Sequence, residues 1–283
     1  MMDNAETPTD NRPKLGAIRQ VMMVVADVAT MVTVYEALLG YRLVGKGVVS
    51  EAEAARWQAP AMAGRTFATL GPVSGEPVYI RFVQGQKADG WALTTHGWNA
   101  TEIVVQDVDA LSARLTASGA FRIVGPVKGL TRFPMIRAMQ VIGPAGECLY
   151  FTEVGAGSGL DLAPALSFVG RVFIVVAGGP DLKAMFAAYA GFDNVIDPPV
   201  STPVTVISAA NGLPLDTLHP HGLIKLREGT MIELDGYPAE TRPRVAPTGE
   251  LAPGMAMVSF AAARSGIIRG GAGELIELIE EAG

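Results

Sequence analysis

Short apolar runs closed by a polar cap alternate along this chain with segments of helical spacing. Gln20 to Asp27 is the first such run and reads as a strand. Residues 28–39 follow as a helix, with Asp27 able to cap its start and Gly40 placed for a left-handed stop. Arg171 to Gly178 repeats the strand. Pro180 then stands at a helix first turn, Leu182, Met185, Phe186 and Tyr189 form an apolar stripe, and Gly191 ends it. Tyr35…Leu39-Gly40-Tyr41 and Tyr189-Ala190-Gly191-Phe192 close both helices alike.

The same grammar recurs between them. Ala100 to Asp107 is a strand ending in a cap, Val108, Leu111 and Leu115 have helical spacing, and Gly119 terminates it. Strands follow near Ile123, over 135–141 and over 148–153. Strand-helix-strand-strand-strand therefore spans 18–84 and 98–154. It begins again at 168, with strands near 204–208, 223–226 and 231–235. Short loops imply antiparallel neighbours, while the first strand rejoins its unit through the helix.

The last strand also appears twice. Gly143-Pro-Ala-Gly-Glu-Cys-Leu-Tyr-Phe151 reads against Gly270-Gly-Ala-Gly-Glu-Leu-Ile-Glu-Leu278, with Tyr150 matched by Glu277. Gln20 to Arg171 is an offset of 151 and Tyr150 to Glu277 one of 127, so the second half is 24 residues shorter. The loss falls between 262 and 273 and leaves no room for a helix. The expected organisation is a disordered lead over 1–15, a first two-unit domain over 16–154, a linker over 155–165 containing Gly155-Ala-Gly-Ser-Gly159, and a contracted second domain over 166–283.

With 49% hydrophobic and 18% charged residues in 283, there is ample material for a core. A net charge of -6 argues against nucleic acid and against an anionic membrane surface. The single Cys148 excludes an internal disulfide and a thiolate metal cluster, and fits a reducing compartment. Met1 to Lys14 has no apolar core of the kind a signal peptide needs, and no window reaches membrane-span length, so a cytoplasmic protein is expected.

Four units in this order, with a strand ending in Asp27 or Asp107, a helix ending at Leu39-Gly40-Tyr41 and a last strand opened by Gly143-Pro-Ala-Gly-Glu147, resemble the vicinal-oxygen-chelate superfamily. This is the glyoxalase, bleomycin-resistance and extradiol-dioxygenase group, and the resemblance covers roughly 16–280. It implies an α+β fold in which tandem βαβββ modules form two half-barrel cups, the second contracted. It also implies a small-molecule substrate and a divalent metal such as Fe, Mn, Zn or Ni, held by His, Gln or Glu of the first and last strands. A homodimer is compatible with it.

Carried over by position, the first cup would present Gln20, Arg81 (where the second half has Glu233), Ala100 or, with a two-residue slip, Glu102, and Tyr150. Only Gln20 suits a metal there, since arginine repels cations and alanine has no donor atom. The second cup would offer Arg171, Glu233 and Glu277, with His221 reaching over the mouth in a fallback metal site of Glu233, Glu277 and His221. We therefore expect no cofactor in the first cup. Strand period two would let Gln20, Arg81, Glu102 and Tyr150 converge there. Arg81 would grip a carboxylate or enolate, Gln20 would help bind it, Glu102 would act as a base and Tyr150 as a proton donor. The competing reading pairs Arg81 with Glu102 across the sheet, and makes Arg171, Glu233 and Glu277 an inert triad.

Ser50-Glu-Ala-Glu53 matches a capping box and opens a short helix to Gln58. Trp57, Trp91 and Trp98 are expected to pack, and His96, His219 and His221 to sit on loops. The expected function is a metal-free small-molecule catabolic enzyme of isomerase, lyase or hydrolase type, acting on an anionic or aromatic substrate. The alternatives are a metal-dependent dioxygenase or glyoxalase-type enzyme, and a bleomycin-resistance-like protein that sequesters a hydrophobic or aromatic ligand.

Overall fold

The computed structural model describes residues 14–88, 90–130, 133–155, 162 and 164–281. The expected lead over 1–13 and most of the expected linker (156–161 and 163) lie outside the described residues. Leu15, placed in that lead, is fully buried, and its backbone exchanges two hydrogen bonds with the Asn194 amide at 2.9 Å.

The first unit runs β1 (Ile18–Val25), α1 (Val28–Val34), β2 (Arg42–Val48), α2 (Glu51–Arg56), β3 (Thr66–Gly71) and β4 (Tyr79–Gln84). The second runs β5 (Thr95–Val105), α3 (Val108–Ser118), β6 (Arg122–Gly129), β7 (Ile136–Ile142) and β8 (Cys148–Val154). The third runs β9 (Val169–Gly179), α4 (Leu182–Ala188), β10 (Val200–Pro203), α5 (Thr205–Ala210), β11 (Leu218–Lys225) and β12 (Met231–Gly236), with the two-residue β13 (Arg242–Pro243) after it. The fourth keeps only β14 (Gly254–Ala262), β15 (Gly266–Arg269) and β16 (Leu275–Glu280), and among its described residues there is no helix. This is the α+β fold of tandem modules with a contracted last one. No described helix is long and apolar enough to cross a membrane.

Local signals behave as their chemistry requires. Asp27 and Asp107 accept from the third backbone N–H of α1 and α3, and Gly40 and Gly119 take the left-handed conformation that ends each helical run. The Ser50/Glu53 capping box forms in full. In the third unit the cap moves to Asp181, which accepts from Ala184 N at 2.9 Å.

Two expectations fail locally. The β-branched run at 204–208 is helical, not extended, because Pro203 ends β10 and the following turn buries Val206 and Ile207. His219 and His221 stand on β11 and His96 on β5, not on loops, and His219 is buried against the Ser208 hydroxyl at 2.9 Å.

The strand order corrects the expected pairing of units. One sheet of seven strands runs β15-β16-β14-β1-β4-β3-β2, and the other, of nine, runs β10-β11-β12-β9-β5-β8-β7-β6 with β13 paired to β5 off this path. The first unit thus shares a sheet with the fourth through the antiparallel β1/β14 pair, and the second with the third through β5/β9. Sheet membership crosses the expected boundary at 155–165. Each sheet turns one face to helices α1, α3 and α4 in a common core that holds Val21, Met23, Phe82, Ile103, Phe151 and Ile232.

The repeated Gly-x-Ala-Gly-Glu turn ties the two sheets together. Glu147 folds back to accept from Ala145 N at 2.8 Å and from the Tyr35 hydroxyl at 3.1 Å. Glu274 does the same with Ala272 N and with the Tyr189 hydroxyl, both at 2.9 Å. Each bond joins a helix of one sheet's unit to the last strand of the other sheet, and both are buried. Tyr35→Phe should therefore cost about 1–3 kcal/mol, because a buried carboxyl loses its donor. Urea unfolding measures it, and Tyr189→Phe should cost a similar amount.

Candidate functional site

The two sheets separate the residues expected to meet. Gln20 and Arg81 lie on the seven-stranded sheet, and Glu102 and Tyr150 on the nine-stranded one. The fallback metal trio is divided as well, since Glu277 is on β16 while Glu233 and His221 are on β12 and β11. Neither set can form one site. The expectation assumed that neighbouring units share a sheet.

On the seven-stranded sheet, the face away from α1 is filled by the protein's own chain. Met22, Val24, Val83, Met257 and Leu275 pack against Ala54 of α2 and against Trp57 and Met62 just after it. Arg81 pairs with Glu53 at 3.0 Å and stacks on Phe67, 3.7 Å from its ring centre. Glu277 takes Arg56 at 3.2 Å and the Ser259 hydroxyl at 2.6 Å. Arg81 is thus in an ion pair, but with Glu53 and not Glu102. Arg171 pairs with Glu76 at 3.2 Å, so the Arg171–Glu233–Glu277 triad does not exist. Glu53→Ala removes both a capping box and the partner of a half-buried guanidinium. It should lower stability by about 2–4 kcal/mol, read by denaturant unfolding, without touching the site described next.

The nine-stranded sheet gathers acids and phenols on one face. Parallel register sets Glu102 beside Tyr150 and Val104 beside Thr152 on β5 and β8. Across β9, Ile174 lies opposite Glu102, Val176 beside Glu233, and Gly178 beside Asp235. Period two along each strand then points Glu102, Tyr150, Thr152, Glu233 and Asp235 to the same side. The Thr152 hydroxyl donates to the Glu102 carboxyl. The Tyr237 ring lies flat over Gly178, where a Cβ would come within 2.2 Å of a ring carbon.

Burial sets the protonation of this face. It pushes Glu102 up to about 8, helped by the negative charge of Glu233 and opposed by the Thr152 bond. Glu233 is raised by burial, against the pull of His221 and of a contact with Asp235. Asp235 is raised further, by burial and then by Glu233 and Glu102. Neither Asp235 oxygen meets a donor among the described residues, so its contact with Glu233 needs a shared proton. Tyr150 and Tyr237 are held neutral, and their buried hydroxyls also have no partner among the described residues. Glu102 and Glu233 are hemmed in by protein yet keep partial solvent access. The face offers protons and hydrogen-bond donors at neutral pH, and a carboxyl poised to switch between acid and base.

The divalent metal implied by the fold does not suit these residues. Among the described residues no group of three or more His, Cys, Asp or Glu is arranged to hold one. On the other sheet Arg81, a cation paired with Glu53, stands at the expected ligand position. Sequence reasoning singled out Glu102, Tyr150 and Glu233 and set Thr152 on the face of Tyr150 without giving it a role, and it did not consider Asp235 or Tyr237. The alternation Glu233-Leu-Asp235-Gly-Tyr237 carried the signal, since period two puts all three on one face.

A family model described as the Glyoxalase/Bleomycin resistance protein/Dioxygenase superfamily matches residues 17–137. Glyoxalase I from Zea mays is similar in structure at 14% identity and a TM-score of 0.61, covering 93% of this chain and 92% of that one. A candidate dioxygenase from Bacillus subtilis subsp. subtilis str. 168 is similar at 14% identity and a TM-score of 0.62, covering 95% and 86%. At such identities the likeness is one of fold alone. No curated protein matches the chain.

Proposed function

The chain carries, over residues 17–137, a domain of the glyoxalase, bleomycin-resistance and dioxygenase superfamily, and from that premise we propose a metal-independent acid–base enzyme of isomerase, lyase or hydrolase type, working on the nine-stranded sheet. The observation that carries this reading is Glu102 set abreast of Tyr150, the carboxyl near 8 and the phenol neutral. The substrate is a small carbonyl or hydroxycarbonyl compound.

The ionised Glu102 takes a proton from carbon beside the carbonyl; the C–H bond breaks, a carboxyl O–H forms, and the electron pair moves to the carbonyl oxygen. The Tyr150 hydroxyl donates a hydrogen bond to that enolate oxygen. Return of the proton to the neighbouring carbon or oxygen completes an isomerisation, and loss of a leaving group completes an elimination. Thr152 orients Glu102, while Glu233 and Asp235 share a proton and hold the Glu102 proton affinity high. Because the base is the ionised form, kcat/KM should rise with pH and level off above about 8.

The test is proton exchange. Protein treated with a chelator is incubated in D2O with hydroxyketones and aryl ketones, and carbon-bound deuterium is followed by NMR. Protein-dependent exchange that survives chelation supports the reading. Exchange that needs an added divalent ion supports the metal-dependent alternative, and tight binding with no exchange supports a sequestering protein.

A further inference from the structure

Arg244 is a half-buried cation that pairs with no carboxylate among the described residues. Its Nε donates to Thr95 Oγ1 at 3.1 Å, Nη1 to Met255 O at 2.7 Å and Nη2 to Trp98 O at 2.6 Å. A guanidinium has five N–H groups, so three bonds leave two undonated. The plane is locked over Trp91, 4.3 Å from the ring centre, and Trp91 in turn lies on Gly254, where a Cβ would fall 2.5 Å from the indole. The fork is held rigid from behind by backbone carbonyls and an aromatic ring. Burial draws its proton affinity down to about 10.

This fork lines a groove of about 700 Å³, which the acids of the nine-stranded sheet do not line. Arg242, two residues earlier on β13, stands exposed on the same wall. Asn211 gives both its N–H groups to Leu93 O and Ile207 O, which leaves its carbonyl oxygen as an acceptor. Among the described residues Glu240 is the one acid on the lining, which also carries the two guanidinium groups of Arg242 and Arg244. Leu213, Pro238 and Val245 supply apolar wall. The volume suits a small organic molecule.

We propose that this groove is a binding site for a small organic carboxylate, whose two oxygens take the undonated N–H groups of Arg244 while its apolar body lies against the proline and valine wall. A planar fork fixed in advance fits a carboxylate and loses little freedom on binding. The proposal goes beyond the acid–base reading and does not depend on it, since the groove and the acid face share no residue.

Benzoate, its neutral analogue benzamide, and inorganic phosphate are the probes, with binding to the full chain followed by calorimetry or ligand-observed NMR. Benzoate should bind saturably, and benzamide about tenfold more weakly or worse. Arg244→Lys keeps charge but loses the fork, so benzoate should weaken by about tenfold. Arg244 also ties down two strands, so Val245→Glu is the safer variant: Val245 is 82% exposed and has no structural burden. It places a like charge in the groove and removes apolar wall, so it should weaken benzoate several-fold more than it weakens benzamide, leaving the melting temperature unchanged. Equal binding of benzoate and benzamide, no benzoate binding, or an unaltered Val245→Glu would overturn the site. Phosphate binding more tightly than benzoate would overturn the carboxylate assignment.

Discussion

Glu102→Gln should lower chelator-resistant proton exchange by a factor of about 10² or more, the range for removing a positioned general base. It should also change how stability depends on pH. In the folded protein the Glu102 carboxyl holds its proton up to about 8, against an ordinary value of 4.5. The folded state therefore binds more protons than the unfolded one between those values. The contribution is fully present below about 4.5 and is lost as pH rises through about 8. Each tenfold difference in proton affinity is worth about 1.4 kcal/mol, so Glu102 alone accounts for a few kcal/mol of decline across that window. Glutamine cannot ionise and should flatten the decline. The variant should be less stable than or equal to wild type near pH 5 and more stable near pH 9. Glu147, lifted to about 7 by burial, adds a second slope of the same sign that ends earlier. Denaturant unfolding across pH 5–9 checks both, and a flat wild-type profile would remove the basis for a proton-holding site.

Gly178→Ala should be the most damaging single-methyl change on the acid face. The added Cβ would lie 2.2, 2.4 and 2.5 Å from three carbons of the Tyr237 ring, well inside contact distance, and the ring is nearly fully buried. Overpacking of this kind costs about 1–3 kcal/mol, and relief requires the ring to leave Gly178. Tyr237→Ala in the same chain frees the space, so the double variant should be more stable than the sum of the single losses predicts. A coupling of about 1 kcal/mol or more would confirm that the ring sits on the glycine. Additive losses would mean that Tyr237 does not lie where the structure has it. Proton exchange should fall in Gly178→Ala, because displacing Tyr237 disturbs the adjacent Asp235 and Glu233.

What the sequence made legible was what local chemistry decides. Asp27, Gly40, Asp107 and Gly119 act within one helical turn of themselves, so their caps could be read from residue type and spacing. The repeat at 143–151 and 270–278 was legible for the same reason, and it revealed both the four units and the missing helix. Which unit pairs with which was not. Both β1 and β5 are short apolar runs whose residue types do not name a partner strand, and the β1/β14 pair that forms joins residues more than 200 apart. That one ambiguity moved Gln20 and Arg81 away from Glu102 and Tyr150. The Tyr150/Glu277 mismatch did mark two different environments. Tyr150 faces the acids, while Glu277 is absorbed by Arg56 and Ser259. The filled face of the seven-stranded sheet was half legible, because the capping box announced α2 but nothing local said that Glu53 would reach Arg81.

Titration of the Glu102 side-chain carboxyl itself tests the account most directly. Protein labelled with ¹³C at the glutamate carboxyl, compared with the Glu102→Gln variant to assign the signal, gives its midpoint by NMR. The account predicts a midpoint near 8, falling when Glu233 is replaced by glutamine, because its charge no longer opposes ionisation. A midpoint near the ordinary 4.5, unmoved by that change, would contradict it: Glu102 would be a solvated carboxylate, and the nine-stranded face would not hold protons at neutral pH.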